Sequence, residues 1–264
     1  MTDDERVALR YAVASEPGQG GPQFNKDAAY AGPHLLMVAS GLENLSSPAS
    51  PGNLAVEEFR RLGTGPGTGD LAADLELGMA GLKETFSDLI EPDARQDGMA
   101  VMLTAMLWRD THAVIAHVGS TRAYLLREGE LTQLTRDHTV GQALIDEGAI
   151  SAAELGLDRK YSYAVRWLAG EPSEPPEVFT HEAAAGDRYL LATDGIQEIL
   201  SFESLRDVLR ETSGDLQDIA DEIAAQAFPA EEFHSGVTVV VADVVDWSRA
   251  SVRAAMKRAG PGFR

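Results

Sequence analysis

The chain has 264 residues, of which 44% are hydrophobic, and its formal net charge is −20 at pH 7. This length and apolar fraction predict a folded chain with a sizeable core, while the negative charge argues against nucleic-acid binding, because a phosphate backbone would be repelled. The sequence contains no cysteine, which excludes disulfides, thiolate zinc sites and a thiol-based phosphatase mechanism.

The first residues are polar and acidic and do not resemble a signal peptide, which favours a cytoplasmic location. Strands are predicted at residues 7–14 and 34–39, and the second of these is a continuous apolar run typical of a buried strand. Helical spacing of apolar residues follows at residues 53–62 and 70–90. The glycine-rich residues 63–69 between them predict a flexible connector, since no Lys-Ser or Lys-Thr pair follows to complete a phosphate loop.

The middle of the chain predicts four strands, at residues 101–108, 113–118, 123–127 and 131–134. The next segments have helical patterns and are followed by a less regular stretch that reaches Pro176; the helical segments are residues 140–147 and 152–155. The last elements are a strand, two helices and a β-branched strand, at residues 188–192, 202–211, 216–227 and 237–245. Groups of strands with helices between them predict an α+β fold of antiparallel sheets covered by helices.

The C-terminal segment differs from the rest of the chain in charge. Residues 247–264 contain five basic residues and no acidic one. We expect residues 1–246 to form a single domain and residues 247–264 to form a basic, partly helical tail. The tail could lie against the acidic domain, fray in solution or dock to an acidic partner. No stretch of the chain approaches the ~20 apolar residues needed to span a bilayer.

The most informative motif runs from His117 to His138 and reads HVGSTRAYLLREGELTQLTRDH. It resembles the V-G-D-S-R-A-Y…G-x-L-x-x-L-T-x-D-H block of the PPM (protein phosphatase 2C) family, with Ser120 in place of an aspartate. Other motifs of the family follow the same order over residues 9–245. The resemblance implies a PPM-type β-sandwich of two antiparallel sheets flanked by helices. It also implies hydrolysis of phosphoserine and phosphothreonine with two Mg²⁺ or Mn²⁺ ions held by carboxylates.

Some of the family's metal-site positions are retained. The resemblance assigns the ligand carboxylates to Asp27 and Asp194 and a ligand carbonyl to Gly41. Asp27 and Asp194 each also suit a turn, so a purely structural role is the alternative. The six histidines show no spacing typical of a metal site.

Other positions of the same motifs have lost the residue that the chemistry requires. Pro22 stands at or near the place of the phosphate-binding arginine, and Lys26 replaces a glutamate. Ser40, Ser120 and Ser235 each replace an aspartate. No G-x-S-x-G sequence surrounds these serines, so they are predicted to be hydrogen-bonding replacements rather than nucleophiles.

Three functions are compatible with this pattern. The first is a pseudophosphatase: a binding or regulatory domain in protein-phosphorylation signalling, with a protein partner such as a phosphoprotein. The second is a weak metal-dependent serine/threonine phosphatase, and the third is a small-ligand or nucleotide sensor that uses the vacated site. The first interpretation predicts that no cofactor is needed and that Mg²⁺ or Mn²⁺ binds weakly if at all.

Overall fold

The computed structural model describes residues 7–17, 25–42, 50–65, 67–90, 98–170, 175–198, 200–211, 215–226 and 236–246. Within these ranges the strands are β1 Val7–Glu16, β2 Asp27–Ala31, β3 Leu35–Leu42, β4 Ala100–Arg109, β5 His112–Val118, β6 Arg122–Arg127, β7 Glu130–Gln133, β8 Leu168–Ala169, β9 Glu177–Glu182, β10 Arg188–Ala192 and β11 Val237–Asp246. The α-helices are α1 Pro51–Thr64, α2 Leu71–Ile90, α3 Val140–Asp146, α4 Phe202–Leu209 and α5 Leu216–Gln226.

The strands form two antiparallel sheets. One sheet has the order β1-β11-β10-β6-β7 and the other the order β2-β3-β4-β5-β9, with β8 pairing to β4. Helices α4 and α5 cover the first sheet, and α1 and α2 cover the second. The predicted α+β sandwich of two antiparallel sheets flanked by helices is confirmed. Among the described helices, none combines the length and the apolarity that a bilayer crossing requires.

Alternation along the strands fills the core on both sides of each sheet. On β3, Leu36 and Val38 face the core between the sheets, whereas Leu35 and Met37 face the core under α1 and α2. Successive side chains of a strand point to opposite faces, so a strand buried on both faces must be apolar throughout. This explains the continuous apolar run that predicted β3. Between the sheets, the rings of Trp108 and Tyr189 meet edge to face at 6.1 Å.

The structure contains three strands that the sequence patterns did not predict: β2, β8 and β9. β2 reads D-A-A-Y-A and has small residues where an amphipathic strand would have large ones. β9 is an edge strand whose residues are mostly half-buried, so it lacks a strong apolar pattern. The second predicted helix in the middle of the chain is a 3₁₀ segment, Ala152–Leu157. Helix α1 also continues to Thr64, two residues into the predicted connector.

A helix cap and a hairpin turn define the ends of several elements. Ser201 caps α4, because its Oγ accepts a hydrogen bond from the backbone N–H of Ser204 at 3.1 Å. Glu128 and Gly129, which connect β6 to β7, both have positive φ values, of 54° and 82°, as expected for a tight hairpin turn. The predicted tail, residues 247–264, lies outside the described residues and stays a prediction.

Three aspartates of the sandwich are each paired with an arginine. Arg127 donates from Nε and Nη2 to the two carboxylate oxygens of buried Asp187, both at 2.7 Å. Equivalent two-pronged contacts join Arg122 to Asp137 and Arg188 to Asp243. Such charge-assisted pairs satisfy a carboxylate that would otherwise be costly to bury.

Candidate active site

Residues from distant parts of the sequence meet at one end of the sandwich. Asp27 opens β2 and lies opposite Ser40 of β3 in the antiparallel register. Thr193, which follows β10, donates from Oγ1 to Asp27 Oδ2 at 2.6 Å. Ser120, which follows β5, donates from Oγ to Asp194 Oδ2 at 3.4 Å. The structure therefore brings Asp27, Ser40, Ser120 and Asp194 into one polar cluster.

The electrostatics of Asp27 are unusual for a carboxylate. Burial, together with the negative charge of Asp194, raises the pKa of Asp27 from 3.8 to about 7. Hydrogen bonds from Thr193, Ser40 and Thr238 oppose this shift but do not cancel it. Buried carboxylates that lie close together without a cation disfavour ionisation of both. The cluster is therefore a place where added positive charge would be stabilising.

A network of hydroxyl and amide groups hydrogen-bonds to Asp27 and to its partner Thr193. The backbone N–H of Thr238 donates to Thr193 Oγ1 at 2.9 Å, and Thr238 Oγ1 lies 2.7 Å from Ser15 Oγ. Asn25 donates to Ser15 Oγ and accepts from the backbone N–H of Asp27, both at 3.0 Å. The sequence interpretation missed these residues. The hydroxyl in Thr193-Asp194-Gly195 was a usable signal, but Ser15 and Thr238 are brought together only by the pairing of β1 with β11.

The backbone at Ser120 is fixed by a tight turn. Gly119 has a φ of +99°, and a Cβ atom there would lie 2.4 Å from Cβ of Met102. Only glycine fits this combination of conformation and close approach. The Gly119 N–H donates to Nδ1 of His138 at 3.1 Å, and the His138 N–H donates to the Gly119 carbonyl at 2.8 Å. Nε2 of His138 lies 3.1 Å from the Glu177 carboxylate.

His117 lies beneath the same turn and is fully buried. Its Nε2 lies 3.0 Å from the carbonyl of Arg136, and its Nδ1 lies 3.0 Å from Oγ1 of Thr104. A carbonyl can only accept, so the ring carries its proton on Nε2 and accepts from Thr104 at Nδ1. Burial, together with the nearby His138, lowers the pKa of His117 from 6.5 to about 4. The imidazole is therefore neutral at neutral pH.

Two glycines allow close packing around the cluster. The N–H of Gly41 donates to the Lys26 carbonyl at 3.0 Å, and a Cβ atom on Gly41 would lie 3.1 Å from that same carbonyl oxygen. A Cβ atom on Gly195 would lie 2.5 Å from the Gly236 carbonyl oxygen. The turn that contains Asp194 is thus in close contact with Gly236, the residue that precedes β11.

Six of the eight residues singled out from the sequence lie in the described part of the chain: Lys26, Asp27, Ser40, Gly41, Ser120 and Asp194. They lie at the end of the sandwich where β2 begins and where β5 and β10 end. Pro22 and Ser235 lie outside the described residues.

The described residues fit a divalent cation in donor type and in charge. Carboxylate, hydroxyl and carbonyl oxygens are the donors that Mg²⁺ and Mn²⁺ prefer. Asp27 and Asp194 supply the negative charge, and burial together with the charge of Asp194 raises the pKa of Asp27. Among the described residues no group of three or more His, Asp or Glu side chains could hold a metal, so the site is carboxylate-poor.

Comparisons with known proteins agree with this fold and site. The serine/threonine protein phosphatase PstP of Mycobacterium tuberculosis is 34% identical over 247 residues, which are 91% of this chain and 46% of that protein. A crystal structure of M. tuberculosis PstP superposes with a TM-score of 0.82 at 33% identity, covering 90% of this chain and 99% of the other. The catalytic domain of PstP in complex with two manganese ions superposes with a TM-score of 0.81 at 33% identity, covering 91% of this chain and 100% of that chain. No family model matches the chain.

The sandwich and these relatives show that the chain belongs to the PPM family of serine/threonine phosphatases. Within that family it is similar to PstP, and it spans about half the length of the curated relatives it matches. The family resemblance inferred from the motifs is therefore confirmed.

The prediction that no cofactor is needed is wrong. The related PstP catalytic domain was solved with two manganese ions. A similar protein therefore binds metal ions, which overturns the expectation of no cofactor. The prediction gave the lost aspartates more weight than the retained pair, Asp27 and Asp194. The relatives are named as phosphatases, which favours the alternative of a weak metal-dependent phosphatase over a pseudophosphatase.

Proposed function

We propose that this chain is a metal-dependent protein serine/threonine phosphatase of low activity, with Asp27 and Asp194 as its metal-binding carboxylates. The observation that carries the proposal is the meeting of these two side chains, from distant parts of the sequence, in a polar cluster where the pKa of Asp27 rises to about 7. Strongly perturbed carboxylates in a polar cluster are typical of functional sites. The likeness to PstP supports Mn²⁺ or Mg²⁺ as the ion.

Each residue of the cluster has a distinct part in the proposed reaction. When bound, a divalent ion supplies positive charge that offsets the phosphoryl oxygens and favours deprotonation of water. Asp27 and Asp194 hold that charge in place, with Gly41 at the same end of β3. Thr193 fixes the Asp27 carboxylate through its 2.6 Å hydrogen bond. Ser120 orients Asp194 from the opposite side.

The low activity follows from the serines. Ser40 and Ser120 put neutral hydroxyls where the family motifs have aspartates, so the described cluster has fewer negative charges to hold dications. Ser235 is a further substitution of the same kind, and Pro22 cannot supply the two-pronged contact by which an arginine binds phosphate. We therefore expect turnover well below that of a relative that retains these aspartates.

A second candidate, a binding domain without hydrolysis, is favoured by one specific observation. The serine hydroxyls already bond within the cluster: Ser40 to Asp27, and Ser120 to Asp194 and to Sδ of Met102 at 3.2 Å. Such a cluster satisfies part of its own hydrogen-bonding needs without a substrate. A protein of this kind would bind phosphoproteins without turning them over.

Hydrolysis of a phosphothreonine peptide and of p-nitrophenyl phosphate, measured across a Mn²⁺ titration, separates the two candidates. The phosphatase proposal predicts a slow, saturable, Mn²⁺-dependent rate that is lost in Asp194→Asn and raised in Ser40→Asp. Asp88→Asn, on an exposed part of α2, is the matched control for removing an acidic charge. A rate that does not depend on Mn²⁺, or that survives in Asp194→Asn, contradicts the proposal.

A further inference from the structure

Met102 is a buried methionine that lies outside the apolar cores. Its side chain is only 3% exposed, yet it belongs to none of the three clusters of buried apolar residues in the described part of the chain. Its Sδ atom instead lies 3.2 Å from Oγ of Ser120, within hydrogen-bonding distance. A thioether sulfur is a weak acceptor and a soft metal ligand. Met102 therefore contributes to the polar cluster a donor that Mg²⁺ and Mn²⁺ do not favour.

The strand register places Met102 in one row with two other residues of the cluster. Ser40 lies opposite Asp27 of β2 on one side and opposite Met102 of β4 on the other. Residues directly opposite each other in an antiparallel pair have their side chains on the same face of the sheet. On β3 the preceding residues of this face, Leu36 and Val38, contact the core between the sheets. The whole row therefore faces the opposite sheet.

Ser120 and Asp194 close this row into a ring of five residues. Oγ of Ser120, which contacts Met102, also lies 3.4 Å from Asp194 Oδ2. Asp194 interacts electrostatically with Asp27, and Ser40 hydrogen-bonds to Asp27. The order around the ring is thus Asp27, Ser40, Met102, Ser120 and Asp194. One side of the ring has two carboxylates, whereas the other side has two hydroxyls and a thioether.

The charge of this ring matches one divalent ion and not two. Two dications held close together repel each other, and only negative ligands offset that repulsion. The two carboxylates of the ring balance the charge of one dication, and the hydroxyls of Ser40 and Ser120 add no further negative charge. The sulfur of Met102 does not replace an oxygen ligand, because Mg²⁺ and Mn²⁺ prefer carboxylate, carbonyl and water oxygens. The neutral side of the ring is therefore a poor place for a second ion.

We propose that this site holds one divalent ion, on the side of Asp27 and Asp194, and that Met102 together with Ser40 excludes a second. The proposal rests on the proposed function and specifies its metal content. In this respect the chain would differ from the related PstP catalytic domain, which is in complex with two manganese ions. A site with one ion lacks the paired clamp on the attacking and leaving oxygens that two-metal sites provide. This agrees with the low turnover expected from the serines.

The number of bound Mn²⁺ ions tests the proposal through two readouts that do not depend on turnover. Calorimetric titration gives the stoichiometry, and the Asp194→Asn protein gives the background of weak binding to the acidic surface. Low-temperature electron paramagnetic resonance distinguishes an isolated Mn²⁺ ion from a spin-coupled pair. We expect one ion and an uncoupled spectrum in the wild type. The double variant Ser40→Asp/Met102→Thr, which adds a negative charge and a hydroxyl oxygen, should bind two ions and give the coupled spectrum.

The matched control is Ser40→Asp/Met106→Thr. Met106 lies on the same face of β4 but in the core between the sheets, so this variant loses a buried methionine while Met102 stays in place. It should still bind one ion, as should Met102→Leu, which removes the sulfur and keeps the bulk of the side chain.

The outcomes separate the number of ions from the activity. A coupled pair in the wild type overturns the proposal and leaves a metal-dependent phosphatase standing, whereas a wild type that binds no Mn²⁺ overturns both. One ion in the wild type and in the Ser40→Asp/Met102→Thr variant alike overturns the role given to Met102 and Ser40. The wild-type spectrum decides the number of ions by itself, so the proposal can fail even if a variant does not fold.

Discussion

Two regions of the molecule treat buried aspartates in opposite ways. In the body of the sandwich, Asp187 accepts two hydrogen bonds from Arg127, which together with other donors lower its pKa despite the opposing effect of burial. At the candidate site, burial and Asp194 raise the pKa of Asp27, and its hydrogen-bond donors are neutral hydroxyls. The first kind of aspartate therefore stabilises the fold, whereas the second lowers its stability. Positions of the second kind are expected at functional sites.

Loss of an arginine–aspartate pair of the sandwich is expected to destabilise the protein strongly. Arg122→Leu leaves the buried carboxylate of Asp137 without its two-pronged partner. We expect a loss of about 3–5 kcal/mol in the free energy of unfolding, because an unpaired buried charge is strongly destabilising. For a domain of this size the melting temperature should fall by roughly 10 °C.

Thermal unfolding followed by circular dichroism measures this loss. Arg206→Leu is the control, because Arg206 and Asp207 form an exposed pair of neighbouring residues, and such pairs contribute little. An Arg122→Leu protein as stable as the control would show that the paired aspartates are not what stabilises the sandwich.

An acid-dependent loss of stability is expected from His117. Its folded pKa of about 4 lies below the ordinary 6.5 because of burial and of His138. The unfolded chain therefore takes up a proton first as the pH falls. Stability should be fully present above pH 6.5 and decline by roughly 3 kcal/mol as the pH approaches 4.

Urea unfolding at several pH values measures this decline. His117→Gln has no ring to protonate, so its stability should change less between pH 6.5 and 4, although it loses stability at neutral pH through altered packing. The same slope in both proteins would assign the acid sensitivity to other groups.

A smaller effect, of opposite sign to the first, is expected at the site. Asp27→Asn removes a charge that is buried beside Asp194. In the presence of a chelator we expect the variant to be more stable than the wild type by about 1–2 kcal/mol, since the cost of burying the charge and its repulsion from Asp194 are both removed. Asp187→Asn, the matched change in the sandwich, should destabilise because it weakens the pair with Arg127. Differential scanning calorimetry compares the two, and a change of the same sign in both removes the distinction between the regions.

The sequence predicted the sandwich well because its central strands are apolar on both faces. β3, β4 and β11 are recognisable from composition alone, since each packs against both a helix layer and the opposite sheet. β2 was missed because Ala28 and Ala29 provide no pattern; its strand conformation comes from pairing with β3. A single-sequence pattern does not encode that non-local pairing.

The site was predicted unevenly for a similar reason. The family motifs pointed to Asp27, Ser40 and Asp194, and the structure brings all three to one end of the sandwich. The supporting hydroxyls of Thr193, Thr238 and Ser15 were missed, because their contacts depend on the register of β1, β10 and β11. The cofactor prediction was wrong because it gave the lost aspartates more weight than the retained pair, Asp27 and Asp194, whereas a related catalytic domain holds two manganese ions.

Calorimetric titration of Mn²⁺ into the purified protein measures whether Asp27 and Asp194 together form a cation site. We predict that the wild type binds Mn²⁺, that Asp27→Asn and Asp194→Asn each weaken binding about tenfold or more, and that Ser40→Asp strengthens it by a similar factor. Asp88→Asn should leave the isotherm unchanged. An absence of binding heat in the wild type, or identical isotherms for the wild type and Asp194→Asn, would contradict the claim.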